Sequence, residues 1–235
     1  MSEGILKALM QLFALVSSPN QNDDIRRSVV KDYLSQQLNN KLVDEYLLLF
    51  DSYLKEHESK LKEKGKIHKV HSASSVKVLK IATSINEELT HYQKLIVLIQ
   101  LLEFLHSGES GISETEIEFV NTISVTFNIA EAEYLSIYRF VNNDFLTQAQ
   151  NTDLIVVTGN PEYKNKTGFL FREHLRDELY FLNIRSANLL LLKSKQGSDL
   201  TLNGQLLLQN RIHFLRPGSS IRHSRISPIT YTDIF

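Results

Sequence analysis

Two stretches of this chain, residues 9–54 and 98–141, read as diverged copies of one helical unit. Leu9-Met10-Gln11-Leu12 returns as Leu98-Ile99-Gln100-Leu101, and Glu45-Tyr46-Leu47 returns as Glu133-Tyr134-Leu135. A repeated unit too small to close a core of its own packs against its twin, so the pattern predicts one helical domain with a pseudo-symmetric centre. Apolar residues at three- and four-residue spacing support it, in Ile5-Leu6-Leu9-Leu12-Phe13-Val16, Ile25-Val29-Tyr33, Val43-Leu47-Phe50-Leu54 and Leu95-Leu98-Leu102-Leu105. Thr90 with Gln93, Ser113 with Glu116 and Asn128 with Glu131 each place a capping residue three positions before Glu or Gln, the signature of a helix start. Between the copies, Lys55 to His71 mixes Lys and Glu and contains Gly65, which predicts an exposed helix end and a loop, with a further helix over Val76 to Glu88.

Beyond Asn142 the period changes. Leu154–Val157, Gly168–Phe171, Leu179–Leu182, Leu189–Leu192, Gln205–Leu208 and Ile212–Leu215 are short apolar runs, separated by Gly159-Asn160-Pro161, Gln196-Gly197-Ser198, Asn203-Gly204 and Pro217-Gly218. Short runs punctuated by turn residues predict a small all-β sandwich or roll. Asn203-Gly204 is the clearest hairpin signal, because both residues tolerate positive φ. The expected class is therefore α+β in two domains, a helical bundle over 1–145 and a β domain over 152–235, joined by a polar linker near Asn142–Asn151.

Composition removes several function classes. With no cysteine among 235 residues, disulfides, thiol nucleophiles and thiolate metal sites are excluded. The longest apolar stretch, Leu95 to Leu105, carries Gln100 and Glu103 and falls far short of the roughly 20 residues a bilayer requires, so it reads as a buried core helix. The first residues lack the basic and apolar regions of a secretory leader, and a cytoplasmic location is expected. The 26 basic and 27 acidic side chains nearly cancel, so net charge predicts no nucleic-acid partner.

Chemistry is sparse. No phosphate-binding Walker loop is present, since Gly65-Lys66 is followed by Ile67, and Gly108-Glu109-Ser110-Gly111 is one residue too short for a nucleophile elbow. His68 and His71 share a spacing that could bind zinc, but no further ligands accompany them and the lysine-rich surroundings favour a solvated loop. Arg211, Arg216, Arg222 and Arg225, with His213 and His223, make the last thirty residues basic. They form either an anion or acidic-partner site, since guanidinium forks match carboxylate and phosphate, or a solvated strand face that protects a sheet edge.

The helical half resembles the TerB-like family. The resemblance rests on Leu101-Leu102-Glu103-Phe104-Leu105 followed by Glu109-Ser110-Gly111-Ile112-Ser113-Glu114-Thr115-Glu116, and it covers roughly residues 1–141. It implies that Glu109 and Glu116 could bind a metal ion. The same Glu116 is also the capping partner expected for Ser113, and Ser110 and Ser17-Ser18-Pro19 stand where acidic turn residues would complete a cage. The β half resembles the C-terminal part of a forkhead-associated domain in Leu202-Asn203-Gly204-Gln205 and Pro217-Gly218-Ser219-Ser220-Ile221, which implies phosphopeptide binding. In this order the two halves resemble the N-terminal region of large bacterial ABC-transporter-type ATP-binding proteins. That pairing implies a non-enzymatic accessory or regulatory region without a cofactor of its own. Its partners would be other proteins, or ATPase and membrane segments of the same polypeptide beyond Phe235, where ATP and magnesium would bind.

Overall fold

The computed structural model describes residues 2–17, 23–63, 67–107, 112–145, 152–196 and 199–234. They divide into two compact units, Met1–Tyr138 and Arg139–Phe235.

The first unit is helical: α1 (Glu3–Val16), α2 (Asp23–Ser35), α3 (Asn40–Glu63), α4 (Ile67–Glu88), α5 (His91–His106), α6 (Glu114–Thr126) and α7 (Glu131–Val141), the last of which runs on into the second unit. Helices α1 and α5 are apolar nearly all round, with Leu12–Val16 and Val97–Leu105 buried without a break, so each is a central core helix. The predicted capping boxes form at Thr90 and Ser113, each side chain accepting from the N3 amide while the N3 side chain accepts from the cap amide. Rings from four helices meet in the core: Phe13 lies 5.3 Å from Phe104 and 5.9 Å from Tyr33, and Phe50 lies 6.0 Å from Phe104.

The duplication is visible in burial. The buried positions of α2, Arg26, Val29, Val30, Tyr33 and Leu34, recur ninety residues later in α6 as Glu116, Phe119, Val120, Ile123 and Ser124. Packing is reciprocal as well, α2 lying against α5 and α6 against α1. The third helices match only in part. Tyr46 and Tyr134 are both buried, as equivalent core positions should be, but Leu47 is buried whereas Leu135, its counterpart by sequence, is 37% exposed.

Two boundaries differ from expectation. Helix α3 continues through Glu63, its charged stretch with the i,i+4 pair Glu56–Lys60 leaving no apolar stripe to read, and α4 begins at Ile67, nine residues earlier than the apolar pattern suggests. Asn128 does not start α7. At φ 55° it terminates α6, with the Ile129 amide donating to the Ser124 carbonyl, and α7 begins at Glu131.

The second unit is built from β1 (Leu154–Thr158), β2 (Phe169–Phe171), β3 (Leu179–Ile184), β4 (Leu189–Ser194), β5 (Thr201–Leu202), β6 (Gln205–Leu206), β7 (Ile212–Leu215), β8 (Ser220–His223), β9 (Ile226–Thr230) and the short α8 (Tyr231–Ile234). One sheet has the order β2-β1-β3-β4-β7, with β1 and β2 parallel and the other pairs antiparallel. The second, β6-β5-β8-β9, is antiparallel throughout. Their inner faces share a core that includes Val157, Phe181, Leu192 and Leu215 from the first sheet and Ile221 and Ile229 from the second, closed by Ile234 of α8. This is the expected sandwich. Asn203 and Gly204 both take positive φ, as the β5–β6 hairpin requires.

Strands β3 and β4 are buried on both faces, which is why they appear in the sequence as unbroken apolar runs. On the outer face Phe145 stacks on Tyr180 with centroids 3.8 Å apart, and the buried Lys193 Nζ donates to the Val141 carbonyl at 2.6 Å. Those contacts group residues 139–145 with the sandwich.

Candidate functional site

Glu116 is the residue in which the two sequence readings compete. Its Oε2 accepts from the Ser113 amide at 2.8 Å and from the Ser113 hydroxyl at 2.9 Å, while Oε1 accepts from Arg26 Nη2 at 3.1 Å. Arg26 is 1% exposed and Glu116 0%. The guanidinium also donates from Nη1 to Ser17 Oγ at 2.7 Å and lies 5.0 Å from the centre of the Phe104 ring. A buried charge pair of this kind needs hydrogen bonds to both groups, and here each copy supplies one charge and one serine, which meet both guanidinium Nη atoms and both carboxylate oxygens. Glu109 lies outside the described residues, as do the side chains of His68 and His71. Among the described residues, no group of three or more His, Asp or Glu side chains is arranged to hold a metal ion.

The four arginines near the C-terminus are distributed rather than joined. Arg211 precedes β7, the exposed Arg216 begins the turn after it, and the exposed Arg222 lies on β8 with its Nε donating to Ser220 Oγ. Arg225, in the β8–β9 turn, lines a cleft of about 430 Å³ at one end of the sandwich.

Three loops build that cleft: His174–Asp177 between β2 and β3, Gln196 with Asp199 and Leu200 before β5, and His223–Ile226. Leu175 and Leu200 belong to the sandwich core and form its apolar floor. His174, Arg176, His223 and Arg225 supply positive or proton-donating groups. Of the two acids, Asp177 is buried and fully occupied: it accepts from the Glu178 amide at 2.7 Å, the Gln196 amide at 3.1 Å and the Ser194 hydroxyl, tying the first loop to the end of β4. His223 Nδ1 accepts from the Arg225 amide at 3.1 Å, so in the neutral ring Nε2 carries the proton and is the donor available to a ligand.

Gly159 sets the position of the first loop. A Cβ there would stand 2.1 Å from the Leu175 carbonyl oxygen, so the loop approaches the end of β1 as closely as it does only because that residue is glycine. His174 takes φ 68°, a left-handed conformation that turns the chain at the cleft rim.

Sequence inspection pointed to His223 and Arg225 within the basic C-terminal stretch but missed Arg26, His174 and Arg176. One signal was available for the cleft. Residues 1–138 carry 14 basic and 19 acidic side chains, whereas residues 139–235 carry 12 basic and 8 acidic, so the near-neutral total conceals a basic β unit.

Among the described residues, no helix is long and apolar enough to cross a membrane. Compared with protein-family models, curated proteins and solved structures, the chain matches none.

Proposed function

We propose that this chain is a non-enzymatic interaction region that captures an acidic segment of a partner protein in the loop-end cleft of its β unit. The observation that carries this reading is the convergence of His174, Arg176, His223 and Arg225 on one cleft, with the Asp177 carboxylate occupied by neighbouring amides and Asp199 left as the single exposed acid among the described residues of the lining. Guanidinium groups pair with carboxylate and phosphate through parallel charge-assisted hydrogen bonds, and an apolar floor orients the rest of the peptide. The excess of basic over acidic side chains in residues 139–235 favours the same class of ligand over longer range. Such a role fits the accessory region that the resemblance to ABC-transporter-type ATP-binding proteins implies.

The test is a fluorescence anisotropy titration with three dye-labelled twelve-residue peptides: one rich in Asp and Glu, one carrying phosphothreonine, and one neutral. The acidic or the phosphorylated peptide should bind with a salt-dependent affinity that falls about tenfold or more in Arg176→Gln/Arg225→Gln, a loss of ~1.4 kcal/mol or more. Arg211→Gln/Arg216→Gln, outside the cleft, should bind as the parent does. Equal binding of the neutral peptide, or no effect of the cleft substitutions, would overturn the reading.

A further inference from the structure

The helical unit carries an apolar groove of about 560 Å³ between α1 and α3, far from any residue of the cleft in sequence. Leu6 of α1 and Tyr46 of α3 form its buried floor. Leu38, in the turn after α2, and Leu42 and Leu49 of α3 form its walls, Leu42 being 36% exposed. Leu42, Tyr46 and Leu49 recur at i, i+4 and i+7, so they make one continuous stripe along α3. That is the geometry with which a receiving surface accepts an amphipathic helix, whose own anchors repeat at the same intervals.

Charge at the rim decides what kind of helix fits. Glu3 and Lys7 of α1 neutralise each other at 2.5 Å across one helical turn. Glu45 of α3, on the opposite rim, makes no ion pair among the described residues. With Glu3 and Lys7 paired, the rim presents one net negative charge, and the unit around it holds 19 acidic against 14 basic side chains. We infer that the groove between α1 and α3 docks an amphipathic helix of a partner protein, with apolar anchors on Leu42, Tyr46 and Leu49 and a Lys or Arg paired with Glu45. The site is independent of the β-unit cleft and selects the opposite charge.

The probe is a synthetic eighteen-residue amphipathic helix of Leu and Lys, compared by fluorescence anisotropy with its Leu and Glu counterpart. The Lys peptide should saturate the parent chain while the Glu peptide does not. Leu42→Ser/Leu49→Ser should weaken the Lys peptide about tenfold or more, with helical circular dichroism unchanged. Glu45→Lys, an exposed change that leaves the groove wall intact, should weaken the Lys peptide and admit the Glu peptide; with Leu42→Ser alone it keeps the test valid if the double variant does not fold. Three outcomes would overturn the inference: equal binding of the two peptides, binding unaffected by Glu45→Lys and Leu42→Ser, or a concentration-dependent dimer in sedimentation that Leu42→Ser abolishes, which would assign the groove to a second copy of this chain.

Discussion

Arg26 and Glu116 occupy corresponding positions in α2 and α6, ninety residues apart, and face each other at 3.1 Å across the centre of the helical unit. A position duplicated in the two copies thus meets its own counterpart, and the pair works because the two copies have diverged to opposite charge. Two like charges at that place would repel, and a divalent cation is the obvious neutraliser for two carboxylates. Here a guanidinium of the chain itself supplies the positive charge, held by Ser17 and stacked over Phe104.

Removing one partner should therefore be far worse than removing both. Arg26→Met leaves Glu116 charged and buried, and the helical unit should lose about 3–5 kcal/mol in urea unfolding followed at 222 nm. Glu116→Gln should cost a similar amount by stranding the guanidinium, whereas Arg26→Met/Glu116→Gln should recover a large part of the sum of the two. A strictly additive double variant would show that the pair is not coupled. Charge reversal, Arg26→Glu/Glu116→Arg, should not restore full stability, since Arg at 116 offers no acceptor to the Ser113 amide.

How legible this was in the sequence depends on how local the physics is. The starts of α5 and α6 were readable because a capping box is complete within four residues. Asn128 was misread because Asn serves equally as an N-cap and as the left-handed residue that ends a helix, and only the backbone shows which role it takes. Strand β5 was legible only through the Asn203-Gly204 hairpin turn, and β8 and β9 were missed because they are short and half-exposed, so they leave no apolar run. The site residues were harder still. Arg26 reads as one more charge on a surface helix until its partner ninety residues away is known, and the four basic groups of the cleft come from two loops about fifty residues apart.

Glycines at two positions separate steric from conformational constraint. At Gly159 the φ is ordinary, but a Cβ would overlap the Leu175 backbone, so Gly159→Ala should destabilise the β unit by about 1–3 kcal/mol and displace the His174–Asp177 loop. At Gly204 the added Cβ meets nothing within 4 Å, and the cost is that of an L residue at φ 86°, about 1–2 kcal/mol. Thermal unfolding should rank the two as similar. Acidic-peptide titration should separate them, with affinity reduced in Gly159→Ala and kept in Gly204→Ala. Loss of binding in both would show that the effect is global unfolding rather than displacement of the cleft loop.

Acid should act on the β unit through Asp233. Its Oδ2 accepts from the Thr230 amide and hydroxyl, each at 2.7 Å, and its Oδ1 lies 3.1 Å from Arg172 Nη2. The Thr230 hydrogen bonds are the principal cause that holds its carboxyl below the ordinary value of 3.8, with the Arg172 charge assisting. Because the folded value is depressed, the contribution to stability is fully present above 3.8 and is lost as pH falls through the folded value. Asp233 caps α8, whose Ile234 closes the sandwich core, so the loss should register in the unfolding of the β unit. Asp233→Asn removes the charge while keeping an acceptor for Thr230. The difference in Tm between parent and variant should stay constant from neutral pH to about pH 5, then narrow below about pH 4 and close in stronger acid. A gap that stays the same, or widens, on acidification would show that the carboxylate charge is not what stabilises this corner of the sandwich.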